Sequence, residues 1–406
     1  MVQNKLNKVL FLQDHASTGG AAIAAARYAN ALARMGHGVC VAAGDAGPEH
    51  SPRAFRLSGK PLRGPARAVE YFMPGPTRIR FRRARVARQW RHILASVRPD
   101  LVWAHNLHGG KKWGWHLNLL AAALDHGPLV WTLHDMWALG DGRPYFEESL
   151  LPQIATESPL SGLLANRRAQ SRLRLTSPSH WLCRLVAEST QFSCQKWECV
   201  IDPSQFSPIR REEMRRQLGL RPGDLFFIAV AENLEDPRKG MSLLLEAWRR
   251  LKEHPHGVLL RLGLVGRGAG RLFDEDSQVL SLGEAKEPSD VAAWFSAADL
   301  YLHPAAQDNF PLTVQEAQAC GTPVLAFDRG GLPETLEDQH TGWLLSERSA
   351  SALVKKLFEL SADPSILARM RESTRKRILL RQNSQKFSED WAALLASYAW
   401  GTFSCL

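Results

Sequence analysis

The stretch from Asp299 to Leu345 leaves few folds open to this chain. Leu300–His303 is a short apolar run, closed by Pro304 and a polar loop. Asn309 stands where it can cap a helix whose first turn holds Pro311, tolerated there because that amide has no helical partner. The helix is expected to run to about Cys320 and to stop at Gly321, with Pro323 just beyond. Val324–Phe327 reads as the next strand, and Gly330-Gly331 as a turn into a further helical start near Pro333-Glu334. This order of strand, loop and helix, repeated, brings two loops to one edge of a parallel sheet, where α/β proteins bind ligands.

Asp308 lies in the first of those loops, and Glu316 follows eight residues later within the helix. A helix N-terminus offers free amides to phosphate oxygens. Nearby carboxylates accept hydrogen bonds from sugar hydroxyls. Such a site suits a sugar joined to a diphosphate, although an ordinary βαβ unit with solvated acids would show the same local pattern. On these residues the segment resembles the C-terminal signature of retaining GT-B glycosyltransferases of glycosyltransferase family 4. That signature runs from an acidic residue through seven others to Glu-Ala, a Cys-Gly-x-Pro-Val strand and a Gly-Gly-x-Pro-Glu turn. Its first acid is usually Glu; here it is Asp308, one methylene shorter with the charge kept. The resemblance implies an α/β protein of the GT-B fold, with two Rossmann-like doubly wound domains facing across a cleft. It also implies a nucleotide-sugar donor held mainly by the second domain and an acceptor by the first.

Length agrees, since 406 residues divide comfortably into two domains. The chain is 45% hydrophobic and 23% charged, values of a soluble globular protein. No apolar run approaches the roughly 20 residues that span a bilayer, and Met1 to Asp14 shows no signal peptide. Six cysteines (Cys40, Cys183, Cys194, Cys199, Cys320 and Cys405) form no CxxC pair and read as scattered reduced thiols. The net charge is +10, and eight arginines fall between Arg78 and Arg98 without an acidic residue among them. Ile79, Val86, Trp90, Ile93 and Val97 mark one apolar helix face there. That helix either packs on its own domain or meets anionic lipid headgroups.

Along the chain, Lys8–Gln13 is a strand, Ser17-Thr18-Gly19-Gly20 a loop, and Ala21–Met35 an alanine-rich helix ahead of strand Val39–Ala43. Gly19 and Gly20 let backbone amides approach a ligand, and the loop also resembles the family's N-terminal loop. Ser58–Thr77, rich in Pro and Gly, reads as an irregular mobile loop. Strand Asp100–Asn106 leads into His105-Asn106-Leu107-His108-Gly109-Gly110, a helix over Trp113–Leu124 follows, and strand Pro128–Leu133 ends in His134-Asp135. Histidines at parallel strand ends sit where α/β sites are built. His134 resembles the strand-end histidine that many family members place beside the donor sugar, and Asp135 is placed to orient a ring. Pro159–Arg174 reads as a further basic helix.

Cys199–Pro208 resembles the family's interdomain crossover, placing a first domain at 1–205 and a second at 206–385, with a final helix at 386–406 crossing back. In the second domain, strand Leu225–Ala231 and a loop precede helix Met241–Lys252, and Arg238-Lys239-Gly240 resembles the pair that neutralises the donor diphosphate. A guanidinium forks phosphate oxygens and an ammonium adds a point charge. The glycines after strand Val258–Val265 lack the dinucleotide spacing. The last helix is expected over Ser388–Trp400.

The implied reaction moves a sugar, with retention, from a UDP- or GDP-sugar to a glycan, a lipid-linked one of the kind used in polysaccharide or lipopolysaccharide assembly. Arg238 and Lys239 would hold the diphosphate, Glu316 the ribose and Asp308 the sugar hydroxyls. Asn309, Phe310, Pro311 and Leu312 would shape the loop, and His134 would line the sugar pocket, with Gly19 and Gly20 closing on the donor. No metal or other cofactor and no nucleic acid is expected; an anionic membrane surface is, through the basic helix, at the inner face of the plasma membrane of a cytoplasmic protein. A nucleotide-sugar 2-epimerase of the same fold, a regulatory homologue and a basic binding module are the competing readings.

Overall fold

The computed structural model describes residues 8–16, 18–44, 54–57, 59, 64–108, 115–190, 192–253, 259–272, 276–381 and 384–398. Ser17, Ser58, Gly109, Gly110, Trp113, Trp400 and Cys405 lie outside them. The chain divides into two compact units, residues 1–200 with 385–406, and residues 201–384.

The first unit begins with β1 (Lys8–Gln13), α1 (Gly20–Arg34), β2 (Gly38–Ala43) and β3 (Ala54–Arg56). Helices α2 (Pro65–Phe72) and α3 (Gly75–Val97) follow, then β4 (Leu101–Ala104), β5 (Leu129–Thr132), β6 (Leu173–Ser177) and β7 (Cys194–Lys196). All seven strands run parallel in the order β3-β2-β1-β4-β5-β6-β7. Inner strands of a parallel sheet are covered on both faces, and the uninterrupted runs Leu-Val-Trp-Ala and Leu-Val-Trp-Thr are buried throughout.

The second unit holds β8 (Leu225–Asn233), α4 (Met241–Lys252), β9 (Leu260–Arg267), β10 (Val279–Gly283), α5 (Pro288–Ala297) and β11 (Leu300–His303). It continues with α6 (Leu312–Ala319), β12 (Val324–Phe327) and β13 (Gly342–Leu345). Its six strands are again parallel, ordered β10-β9-β8-β11-β12-β13. A helix over Ser365–Arg381 precedes the last one, α7 (Ser384–Ala396), whose residues from Gln385 onward belong to the first unit.

Several expectations need correction. Ser58–Thr77 is not one irregular loop: Pro65 opens α2, because a fixed φ and a missing amide suit a first helical position. The expected basic helix over Pro159–Arg174 is broken into Pro159–Leu164 and Ala169–Arg172, and Leu173 and Arg174 already belong to β6. Asn309 does not cap α6. Pro311, extended at φ −62° and ψ 126°, takes the position before the first helical residue, Leu312. On α3 the apolar face holds, with Val86, Trp90, Ile93 and Val97 buried and Trp90 Nε1 donating to Leu119 O at 2.8 Å. That face is core. Ile79, its first member, is instead exposed, as are Val69, Tyr71 and Phe72 on α2 and Phe81 on α3.

Candidate functional site

In each sheet the strand order reverses at one place, between β1 and β4 and between β8 and β11, and α/β proteins build their sites beyond the strand ends at such points.

In the first unit the loops after β1 and β4 are tied by Asp14 N–H donating to Asn106 O at 2.9 Å. Gly19 sits at φ 87°, a conformation that favours glycine, and α1 starts at the next residue. A Cβ on Gly20 would meet nothing within 4 Å, so the fold requires only the first glycine of the pair. His105 lies just past β4 and His134 two residues past β5, and their rings meet, Nδ1 of His105 being 2.9 Å from Nε2 of His134. His105 is wholly buried among the rings of Phe11, Tyr28 and Trp103. Burial, and then the neighbouring His134, hold the His105 pKa well below the ordinary value. Burial likewise lowers His134 to about 4 against the opposing pull of Asp135. Both rings are therefore neutral near pH 7. Asp135 gives its carboxylate not to the adjacent His134 but to His108, at 3.0 Å, and to the Trp137 amide, also at 3.0 Å. Burial works against a charge on His108, yet Asp135 outweighs it and the His108 pKa rises. A neutral histidine pair and a chargeable His–Asp pair thus line one pocket, closed by Trp131 and Trp137.

In the second unit three loops converge on Asp308. Gly240, at φ 72°, closes the loop after β8 so tightly against the loop after β11 that a Cβ there would fall 2.0 Å from Pro304 O. Ala306 N–H donates to Arg238 O at 2.8 Å, and Arg238 Nη1 to Gln307 O at 3.1 Å. Lys239 Nζ lies 2.7 Å from Asp308 Oδ2, with Arg238 Nη1 at 3.4 Å from the same oxygen. The third loop arrives through Gly331 N–H, which donates to Asp308 O at 2.9 Å. Burial would raise the Asp308 carboxyl, but Lys239, His303 and Arg238 prevail and hold it well below the usual range. Asn309 is buried, its amide donating to Asp308 Oδ1 at 3.1 Å, and Phe310 lies under the Arg381 guanidinium at 5.3 Å. Pro311 and Leu312 lead into α6, which carries buried Glu316. The hydroxyl of Tyr301 feels both acids: burial raises its pKa most, Thr313 opposes, and Asp308 and Glu316 raise it further.

Of the expected residues, Gly19, Gly20 and His134 belong to the first unit and Arg238, Lys239, Asp308, Asn309, Phe310, Pro311, Leu312 and Glu316 to the second, where Arg238, Lys239 and Asn309 meet at Asp308. Sequence reasoning passed over His303, Tyr301 and Thr313, although a histidine at the end of β11 is the same signal that singled out His105 and His134. Among the described residues no group of three or more His, Cys, Asp or Glu is arranged to hold a metal ion, and no helix is long and apolar enough to cross a membrane.

Two Rossmann-like domains, each with its site at a strand-order reversal, define an α/β protein of the GT-B fold. The family model "Glycosyltransferase Family 4" matches residues 18–228, and "Glycosyl transferases group 1" matches residues 210–377. The chain belongs to glycosyltransferase family 4. It is 32% identical over 302 residues to a D-inositol 3-phosphate glycosyltransferase of Streptomyces bingchenggensis, an alignment covering 68% of this chain and 62% of that protein. The chain spans between 39% and 62% of the length of such curated relatives. Among solved structures, HepE of Anabaena in complex with UDP and glucose superposes with a TM-score of 0.69 at 19% identity, covering 96% of this chain and 99% of that one. WaaG, a glycosyltransferase involved in lipopolysaccharide biosynthesis, gives 0.67 at 18% identity over 95% and 99% of the two chains. At such identities these two show the fold.

Proposed function

We propose that the chain is a retaining glycosyltransferase that moves a sugar from a nucleotide-diphosphate sugar, UDP- or GDP-linked, to a lipid-linked glycan in polysaccharide or lipopolysaccharide assembly. One observation carries this reading: Arg238 and Lys239 stand beside Asp308 at the strand-order reversal of the second unit. Two cations there meet the chemical need of a leaving diphosphate, whose developing charge they stabilise without a metal ion. Asp308 takes the donor-sugar hydroxyls, Glu316 the ribose, and the amides from Asn309 to Leu312 the sugar or phosphate oxygens. In the first unit, His134 and the Gly19-Gly20 turn are assigned to the sugar end of the donor. His134 can accept or donate a hydrogen bond there without bringing a charge, being neutral.

HepE, solved with UDP and glucose, and WaaG, from lipopolysaccharide biosynthesis, support the donor and acceptor classes by analogy of fold. A lipid-linked acceptor calls for a surface that meets anionic headgroups. The exposed Val69, Tyr71, Phe72, Ile79 and Phe81, interspersed with Arg78 and Arg80, are assigned to it, at the cytoplasmic face of the membrane.

The test is a thermal-shift screen of UDP-, GDP- and ADP-sugars, since a ligand that binds only the native state raises the midpoint by mass action. One nucleotide class is expected to raise it in the wild type and not in Lys239→Ala. If no nucleotide sugar shifts the wild type, the reading is wrong.

A further inference from the structure

His303 closes β11, and its side chain is almost wholly buried. Its Nδ1 is 2.9 Å from the Tyr301 hydroxyl, which stands 2.8 Å from Thr313 Oγ1 in the first turn of α6. Its Nε2 makes no hydrogen bond and faces Asp308 Oδ2 at 3.7 Å, beyond the length of an N–H···O bond. A buried ring nitrogen without a partner calls for an explanation. The carboxylate facing Nε2 favours the tautomer protonated there, which leaves Nδ1 to accept from Tyr301. Burial, with Lys239 and Arg238 close by, outweighs Asp308 and keeps the ring neutral, so this proton is present near pH 7.

Lys239 and Arg238 have two calls on their charge. With no donor bound they face Asp308; a donor diphosphate carries more negative charge than one carboxylate and competes for them. Asp308 then loses the cation contacts at Oδ2 while its Oδ1 still accepts the Asn309 main-chain N–H, and its main chain is pinned by Gly331 N–H on its carbonyl oxygen. Only its side chain is left to adjust, and a shift of less than about 1 Å closes the gap to a normal bond length.

We propose that His303 is a positioning residue for donor-sugar recognition: once the diphosphate engages Lys239 and Arg238, His303 Nε2–H takes over Asp308 and holds its second oxygen toward a hydroxyl of the donor sugar. Tyr301 and Thr313 hold the imidazole in the tautomer that does this. The inference rests on the proposed nucleotide-sugar donor.

The test measures, by calorimetry on the full chain, binding of UDP, GDP and ADP and of UDP-glucose, GDP-mannose and ADP-glucose to wild type, His303→Leu and His303→Gln. For the nucleotide that wild type binds, His303→Leu is expected to keep the diphosphate affinity within about twofold. It is expected to lose about tenfold or more for the sugar conjugate, as a charge-assisted bond would. His303→Gln, which keeps an N–H, should recover part of that loss. Equal loss of diphosphate and conjugate would show a packing role and overturn the proposal. So would unchanged conjugate binding in His303→Leu, or a Gln variant no better than Leu. Should Leu lose the native circular dichroism spectrum, His303→Phe, closer in shape, replaces it under the same criteria. Absence of all nucleotide binding in the wild type would instead remove the donor reading itself, before any variant is compared.

Discussion

Asp308 is nearly buried and receives Lys239 at 2.7 Å and Arg238 at 3.4 Å, so its carboxylate depends on these cations for its charge. Removing Lys239 leaves that buried carboxylate with weaker compensation. On the proposed function, Asp308→Ala and Lys239→Ala are each expected to lower kcat by about 10²–10³-fold, the scale of losing one preorganised electrostatic contact. Retained circular dichroism would show that the fold survives, and near-native turnover in both would refute the roles. The Asp308 carboxyl is held below its ordinary range, so the stability this adds is complete above that range and is lost only as pH falls through the lowered value. The pair is thus intact across neutral pH. The histidine pair titrates differently. His134 is lowered to about 4 from an unfolded value near 6.5, and His105 is lowered too. Between those limits the unfolded chain binds protons that the native rings refuse, so stability declines as pH falls from about 6.5 toward 4. The urea midpoint should therefore drop between pH 7 and pH 5, and by less in His105→Phe/His134→Asn, where neither ring titrates. Equal drops in the two proteins would exclude the histidines as the cause.

The loops that carry these residues are fixed by backbone geometry, and two glycines separate structural from functional demand. Gly240→Ala forces an L-residue to φ 72°, costing roughly 1–3 kcal/mol before the contact with Pro304 O is counted. It should lower the urea midpoint and weaken donor binding together. Gly20 begins α1 with open space around it, so Gly20→Ala should leave stability equal or higher. A loss of turnover in that variant would then report a close approach by the donor, and unchanged turnover would remove Gly20 from the site. The exposed apolar residues of α2 and early α3 allow a similar separation. Arg82 and Arg85 pair with buried Glu70, so the residues to change are Arg78, Arg80 and Phe72. Arg78→Glu/Arg80→Glu/Phe72→Ser is expected to abolish sedimentation with phosphatidylglycerol vesicles, and unchanged sedimentation would end the membrane assignment. The same elements show what a sequence makes visible. Runs such as Leu300–His303 and Val324–Phe327 were legible at their observed bounds, because strands buried on both faces are apolar without interruption. The start of α6 was misplaced because Asn309 looks like a cap, while extended Pro311 keeps the chain out of the helix until Leu312. The His105–His134 bond joins residues 29 apart in sequence, and the Cys183 and Cys194 sulfurs meet at 3.0 Å without any recognisable spacing. Contacts of that kind arise from sheet order, which local pattern does not encode.

At the scale of the molecule, the first unit is discontinuous in sequence: it needs α7, which follows the entire second unit along the chain. Phe387, Trp391, Leu394, Leu395 and Tyr398 form the buried side of this C-terminal segment. Trp391 stacks on Trp103 at 5.6 Å with the planes 6° apart, and its Nε1 donates to His37 Nε2 at 2.9 Å. Phe387 stacks on Tyr28 at 6.1 Å, and the Tyr398 hydroxyl donates to Leu129 O at 3.0 Å while its ring lies under Arg174 at 4.6 Å. Trp103 and Tyr28 are also the rings that enclose His105, so α7 supports the histidine pair from behind. Truncating a buried Trp typically costs about 3–5 kcal/mol, a large part of the 5–15 kcal/mol that holds a domain together. Trp391→Ala should therefore lower the first unit's melting transition. A chain ending at Ser384 should lose that transition altogether, having exposed Trp103, Tyr28 and the start of β5. The second unit, continuous from 201 to 384, lacks none of its own core in that chain. Calorimetric scans with and without the nucleotide diphosphate that binds the wild type would separate the two, since only the unit holding Arg238 and Lys239 should gain a ligand-induced shift. A shortened chain that keeps both transitions would show that α7 is dispensable. One that loses both would show that the second unit does not fold without the first.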